Sequence, residues 1–367
     1  MLSEVIDMKR TKEQNIELIK NFSNANGASG FEDEVAKFGE SQVKDICDTK
    51  IDHLRNVYIS LKNNSGDKPK IWLDAHLDEV GYIVQFIRPD GLMHFLPLGG
   101  IAPVTAPATK VRVRNKEGQY IPAIITSKPP HFMSTAERNA PPAFENMLID
   151  CGAVSDDNLK NDFKIKIAAP VVPDVDCIYD EKNDIFIGKA FDCRVGCAAL
   201  VETLNQVSDE KLNVDVVATL SVQEEVGERG THAAVQNINA DICICFEGCP
   251  ADDTFNPEYM IQSGIKRGPM LRHFDVSMIT SPTFMEYAIK IAEKYHIPMQ
   301  ESVRKGGGTN GKYIHISRYG VPTIVIGIPV RYIHSSHCIC TLEDYNHAVD
   351  LAREIIKDLN GEIIDAM

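Results

Sequence analysis

Positive charge is scarce in this chain. Its 38 Lys and Arg are outnumbered by 52 Asp and Glu, giving a formal net charge of −14 and a pI near 5.3. That balance argues against nucleic acid or an anionic membrane surface as the main partner. Long apolar runs are missing too: the strongest, residues 321–330, contains two prolines and is too short to span a bilayer. Residues 1–7 are charged and lack an apolar core ahead of a small-residue cleavage site, so no export signal is expected. The ten cysteines form no pair of CxxC knuckles, which disfavours a structural zinc site. Several, such as Cys243 and Cys245, lie in strand-like runs, so buried free thiols in a reducing cytoplasm are expected. Repeats and low-complexity stretches are absent.

The 367 residues that are present suffice for one large domain or two ordinary ones. With 44% hydrophobic and 25% charged residues, the composition is that of a soluble globular protein with an ample core. Residues 12–24 carry Ile16, Leu18, Ile19 and Phe22 at helical spacing, and 31–43 form a second helix with three acids in its first turn. Strands are expected over 52–61 and 70–76. From residue 84 to 175 helical periodicity disappears and hairpin signals such as Arg88-Pro89-Asp90-Gly91 take over, the pattern of a small β-barrel-like domain. Strands (214–222, 241–246, 299–303, 323–328) then alternate with helices (194–207, 230–237, 281–295, 310–318, 341–359). The expected fold class is α/β: a mostly parallel sheet with helices on both faces, built from residues 1–83 and 176–367, with 84–175 inserted.

Residues with metal-binding side chains fall where these strands end, which is where open α/β sheets place their sites. His76 ends one strand, and Asp192 follows a short strand over 184–187. Glu224 and Glu225 close the run 214–222, Glu247 ends 242–246, and His334 follows 323–328. Each has an ordinary explanation as well. Asp192 could cap the helix that follows, Glu224-Glu225 could be a solvated turn, and Glu247 and His334 could be polar loop residues. Together, on one edge of one sheet, two histidines and three or four carboxylates suit a pair of divalent ions such as zinc or cobalt. Asp78, two residues past His76, could fix that imidazole.

The segments Asn26-Gly27-Ala28-Ser29-Gly30-Phe31-Glu32-Asp33-Glu34, Asp74-Ala75-His76-Leu77-Asp78-Glu79-Val80-Gly81 and Ser127-Lys128-Pro129-Pro130-His131 carry a resemblance. So do Gly188-Lys189-Ala190-Phe191-Asp192-Cys193-Arg194-Val195-Gly196, Val222-Gln223-Glu224-Glu225-Val226-Gly227, Gly306-Gly307-Gly308-Thr309-Asn310 and Pro329-Val330-Arg331-Tyr332-Ile333-His334-Ser335. In this order they resemble family 42 of the metallopeptidases, the glutamyl-aminopeptidase-like enzymes that include tetrahedral aminopeptidases and proteins labelled cellulase M. The resemblance implies a zinc-peptidase-like fold and a dinuclear site bridged by Asp192. One ion would be held by His76, Asp192 and Glu247, the other by Asp192, Glu225 and His334. Glu224 would be the general base and Asp78 the support of His76. It further implies peptide substrates and a homo-oligomer built from dimers through the inserted domain, up to a dodecamer. Glu247, Cys193 and Asn310 stand where many members have Asp, Asp or Asn, and Asp, so metal affinity and hydrogen bonding there are expected to differ.

The function expected is therefore a cytoplasmic metal-dependent aminopeptidase. The rivals are a glycoside hydrolase, which needs two carboxylates and no metal pair, and a degenerate relative that binds without catalysing. Arg267, Arg272 and Arg304 are compatible with acidic residues at a substrate's N-terminus, as they are with an ordinary solvated surface.

Overall fold

The computed structural model describes residues 9–367; the segment read for an export signal, residues 1–7, lies outside them. Strands β1 (Cys47–Ile51), β2 (Val57–Leu61) and β3 (Lys70–His76) come first. Next are β4 (Gly81–Ile87), β5 (Met93–Leu98), β6 (Lys110–Arg114), β7 (Tyr120–Ile125), β8 (Ile149–Asp150) and β9 (Pro170–Pro173). After β10 (Ile178–Asp180) and β11 (Ile185–Gly188) follow β12 (Asp215–Ser221), β13 (Ile242–Pro250) and β14 (Met270–Phe274). The chain closes with β15 (Gln300–Val303), β16 (Thr323–Val330) and β17 (Cys338–Cys340).

Eight strands form the main sheet in the order β1-β2-β12-β3-β13-β16-β14-β15. Its middle four, β12, β3, β13 and β16, run parallel, and their shared register puts Ser221 beside His76 at one edge. Alternation along β3 sorts its side chains between two layers. Ile71, Leu73 and Ala75 enter the large core with the helices Lys12–Asn24, Phe191–Val207 and Leu342–Asp358. Trp72 faces the other way, with Cys243, Cys245 and Val325, toward the short helices Arg229–Ala234 and Gly311–Ile314. Near-continuous apolar runs in β13 and β16 follow from burial on both faces.

Strands β4 to β9 close into a barrel of order β4-β5-β8-β7-β6-β9, with Val84, Phe95, Val111, Val113 and Ile125 inside. The loop after β5 leaves this barrel and carries Gly99 and Gly100 to the edge of the main sheet. Gly99 has φ +90°, and a Cβ there would meet Val80 and Glu225 within 3.2 Å, so the close approach requires glycine.

The helices expected over 12–24 and 341–359 and the strand over 70–76 lie where their periodicity placed them. Other expectations need correction. Residues 52–61 are not one strand: Asp52 accepts hydrogen bonds from the Asn56 backbone (3.0 Å) and side chain (2.8 Å), turning the chain between β1 and β2. The helix read over 310–318 is a single turn, Gly311–Ile314. Strand β14, antiparallel to β16, was missed because Arg272 and His273 interrupt its apolar pattern. The site residues also do not all end strands of one sheet. Strand β11 belongs to a separate three-stranded sheet with β10 and β17, and Glu247 lies within β13, which runs on to Pro250.

Candidate metal centre

At the edge where β12 and β3 end, six predicted residues converge from five places in the chain. Asp192, in the first turn of the helix Phe191–Val207, lies between two imidazoles. His76 Nε2 is 3.1 Å from its Oδ1, and His334 Nε2, from the loop between β16 and β17, is 2.9 Å from its Oδ2. Each histidine faces a further carboxylate. Glu247 Oε2 is 3.5 Å from His76 Nε2, with Glu224 Oε2 at 3.9 Å, whereas Glu225 Oε2 is 3.4 Å from His334 Nε2. Adjacent in sequence, Glu224 and Glu225 thus serve different histidines.

The predicted seventh residue, Asp78, stands behind this group. Its Oδ1 accepts from Glu224 N (2.9 Å) and its Oδ2 from Glu225 N (3.1 Å) and Ser29 Oγ (2.6 Å). His76 Nδ1 lies 3.4 Å from Asp78 Oδ1 and 3.2 Å from its backbone carbonyl. Asp78 therefore holds the backbone of the paired acids as well as the ring, which spacing alone did not reveal. His334 is fixed comparably, with Nδ1 3.1 Å from the carbonyl of Gly100 on the barrel loop.

Four further residues, which lie inside the segments that carry the resemblance but had no expected role, brace the site. Lys189 Nζ contacts both oxygens of Glu79 (2.6 and 2.7 Å), and all of it is buried. Arg194 donates to the carbonyls of Phe22 (2.7 Å), Ala25 (2.9 Å) and Leu77. These bonds tie the 25–29 loop, with Ser29, to the end of β3. Burial, countered in part by Glu79, lowers the Lys189 ammonium to about 8. The fourth, Glu32, accepts from the backbone N–H of Gln223 (3.1 Å), a non-glycine residue at φ +56°, and so supports the bend that presents Glu224.

Electrostatically the group has too much negative charge for so dry a place. Burial, reinforced by Glu247, Glu225 and Asp192, pushes Glu224 well above the usual carboxylate range, and burial with Asp192 pushes Glu225 up to about 8. Against burial, which favours a neutral ring, Asp192 and Glu225 hold His334 up at about 10, and Glu224 and Asp192 hold His76 well above its ordinary value. A cation among these carboxylates would relieve the same excess of negative charge. Glu225 Oε1 is buried without a hydrogen-bond partner, and the ligand atoms of His76, Asp192 and Glu225 lie within 4.8 Å of one another. An imidazole and carboxylate set with an orphaned oxygen fits divalent ions such as zinc or cobalt. Loading such ions should release protons, so affinity should fall as pH drops; calorimetry in buffers of different ionisation enthalpy measures that release.

Cys193 lies beside this set, its Sγ within 4.8 Å of ligand atoms of His76 and Glu247. Its thiol donates to Phe246 O (3.1 Å), and burial keeps it well above the ordinary value. Asn310 is not at the centre. It sits in the Trp72 layer, where its amide donates to Asp74 Oδ2 (2.6 Å) and Ser221 Oγ (2.7 Å). Burial raises Asp74 to about 6, so an acid at 310 would face a second buried carboxylate, whereas the amide supplies a donor. Arg267 also lies away from the site, paired with Glu258 at 2.6 Å on the surface.

The M42 glutamyl aminopeptidase model matches residues 56–351. The chain belongs to this family. It is accordingly a peptidase, a hydrolase of peptide bonds. The lysyl aminopeptidase of Pyrococcus furiosus is 29% identical over 352 residues, 94% of this chain and 97% of the relative. The TET aminopeptidase of the marine sediment archaeon Thaumarchaeota archaeon SCGC AB-539-E09 superposes with a TM-score of 0.92 at 33% identity, covering 96% of this chain and 99% of that one. The TET1 peptidase of Pyrococcus horikoshii, described as assembling into a tetrahedron or a large octahedral shell, superposes with a TM-score of 0.84 at 25% identity, covering 94% and 100%.

Proposed function

We propose that this M42 peptidase is a dinuclear metallo-aminopeptidase, removing N-terminal residues from peptides. One observation carries the reading: the two oxygens of Asp192 face two different histidines, each with its own further carboxylate. His76, Asp192 and Glu247 would hold one divalent ion, and Asp192, Glu225 and His334 the other; zinc and cobalt suit these donors best. Two divalent ions held by these residues would supply Lewis-acid polarisation of the scissile carbonyl and a more acidic water. Glu224, which lies near His76 but outside both ligand sets, takes the proton of the attacking water and returns it to the leaving amine. Asp78 keeps Glu224 in place through its backbone N–H.

Assembly into a homo-oligomer, with dimers joined through the barrel of strands β4 to β9 and a dodecamer as one closed form, is the second part of the proposal. Its support is the shell described for the Pyrococcus horikoshii relative. All ten cysteines are free, in keeping with a cytoplasmic protein. No helix among the described residues is long and apolar enough to cross a membrane.

A chelator should abolish release of N-terminal residues from short peptides, and zinc, cobalt or manganese should restore it. The glycosidase reading predicts the reverse, hydrolysis of β-glucans that a chelator leaves untouched. Fewer than about two ions per chain at saturation would count for a non-catalytic relative.

A further inference from the structure

Beside the metal centre lies a cleft of about 760 Å³, and residues 304–309, following β15, form one wall of it. Little holds the middle of that wall. A Cβ built on Gly306 or Gly307 would meet nothing within 4 Å, and Gly307 has φ +84°. Three consecutive glycines leave the backbone adjustable, so the wall's position is set where it is fastened. At its start the Arg304 N–H donates to the carbonyl of Phe274 on β14 (2.8 Å). At its far end the fastening is a side chain, Asn310.

Asn310 is buried and reaches into the Trp72 layer. Its amide nitrogen donates to Asp74 Oδ2 on β3 (2.6 Å) and to Ser221 Oγ at the end of β12 (2.7 Å). Asp74 is held from its other side: Trp72 Nε1 donates to Thr219 Oγ1 (2.8 Å), and the Thr219 hydroxyl donates to Asp74 Oδ1. In the parallel pairing Asp74 stands beside Thr219, and Ser221 beside His76. One amide therefore joins the cleft wall to the two strands that deliver His76 and Glu224. Asn310 Oδ1 is buried without a hydrogen-bond partner, so the nitrogen alone carries the contact. A buried acceptor left unpaired costs stability, which sets this residue apart from an ordinary packing contact.

We propose that Asn310 is a positioning residue of this peptidase: it fixes the glycine-rich wall against the strand ends that carry the catalytic groups, and so sets the width of the cleft that receives the substrate's N-terminal residue. The proposal rests on the aminopeptidase reading above. The contact has a direction, because the carboxylate accepts and the amide donates. Exchanging the two, Asp74→Asn with Asn310→Asp, keeps one donor and one acceptor in place, and the Ser221 hydroxyl can turn to donate to the new carboxylate.

The test is steady-state kinetics of the metal-loaded protein on whichever of the p-nitroanilides of Leu, Lys and Glu the parent cleaves fastest, with metal content measured on the same samples. Asn310→Ala and Asn310→Asp should each raise KM by at least about tenfold while kcat stays within about threefold, because a loosened wall removes binding rather than chemistry. Metal content should not change. Partial unfolding alone lowers apparent kcat and leaves KM where it was, so a purely structural residue gives the opposite pattern. In the exchange variant KM should return to within about threefold of the parent's. Parental KM in the single variants, a loss confined to kcat, a loss of metal, or an exchange variant that does not fold or keeps the raised KM overturns the proposal and leaves the aminopeptidase reading intact. Single variants too unstable to assay mark a structural residue and overturn it as well. A parent protein that cleaves none of the three substrates overturns both.

Discussion

Replacing Glu224 with Gln is expected to lower kcat by roughly 10²- to 10⁴-fold while leaving the metal content of the protein unchanged. The two halves of that result come from different atoms. Gln is nearly isosteric and keeps the backbone N–H that Asp78 accepts at 2.9 Å, so the turn carrying residues 224 and 225 has no reason to move. What disappears is the carboxylate that can take a proton from water. Metal should stay because the closest approach of Glu224 to His76 Nε2, 3.9 Å, is longer than those of Asp192 and Glu247. Burial and the neighbouring carboxylates push Glu224 well above the usual carboxylate range, and nearby positive charge would favour its ionised form. Titration of kcat against pH, with metal analysis on the same samples, separates these effects. Full turnover in the variant would remove Glu224 from the role of base.

Much of this centre was legible because its residues lie in short stretches with unusual chemistry. Adjacent acids at the end of an apolar run, or a histidine closing one, stand out against the apolar strands they follow. Less legible was everything that depends on three-dimensional neighbours. The short strand before Asp192 read like the others, yet it belongs to another sheet, and nothing local could reveal which strands pair. Asn310 looked like a charge lost from the centre, but alternation along β3 puts Asp74 in the opposite layer from Leu73, and Asn310 meets it there. Glu79, Lys189 and Arg194 sat in the quoted segments without a role because a buried ion pair leaves no periodic trace; only the contacts reveal that it clamps the Ser29 loop. Turns with side-chain caps, such as Asp52–Asn56, are likewise short-range features that an alternating pattern can conceal.

Asp192→Asn should have an equally large effect for a different reason, and it distinguishes a bridged pair of ions from two independent ones. The carboxylate presents one oxygen to His76 and the other to His334, at 3.1 and 2.9 Å. An amide has one oxygen and one NH2 group, so in either orientation a donor replaces an acceptor on one side, and the shared negative charge is gone from both. Its side chain is only 17% exposed, which makes that charge difficult to replace with water. The expected result is a fall from about two ions per chain to one or fewer, with activity down by at least about 10²-fold, since ligand substitutions exceed the 10- to 100-fold cost of losing an outer partner. Glu225→Gln provides the contrast. Of the two histidines Glu225 lies nearer His334, at 3.4 Å, so its loss should weaken one ion more than the ion beside His76 and Glu247. Metal content by atomic emission after gel filtration, on both variants and the parent protein, reads the difference directly. Equal losses in the two variants would mean that the ions do not depend on Asp192 as a bridge, and retention of both ions by Asp192→Asn would end the dinuclear reading.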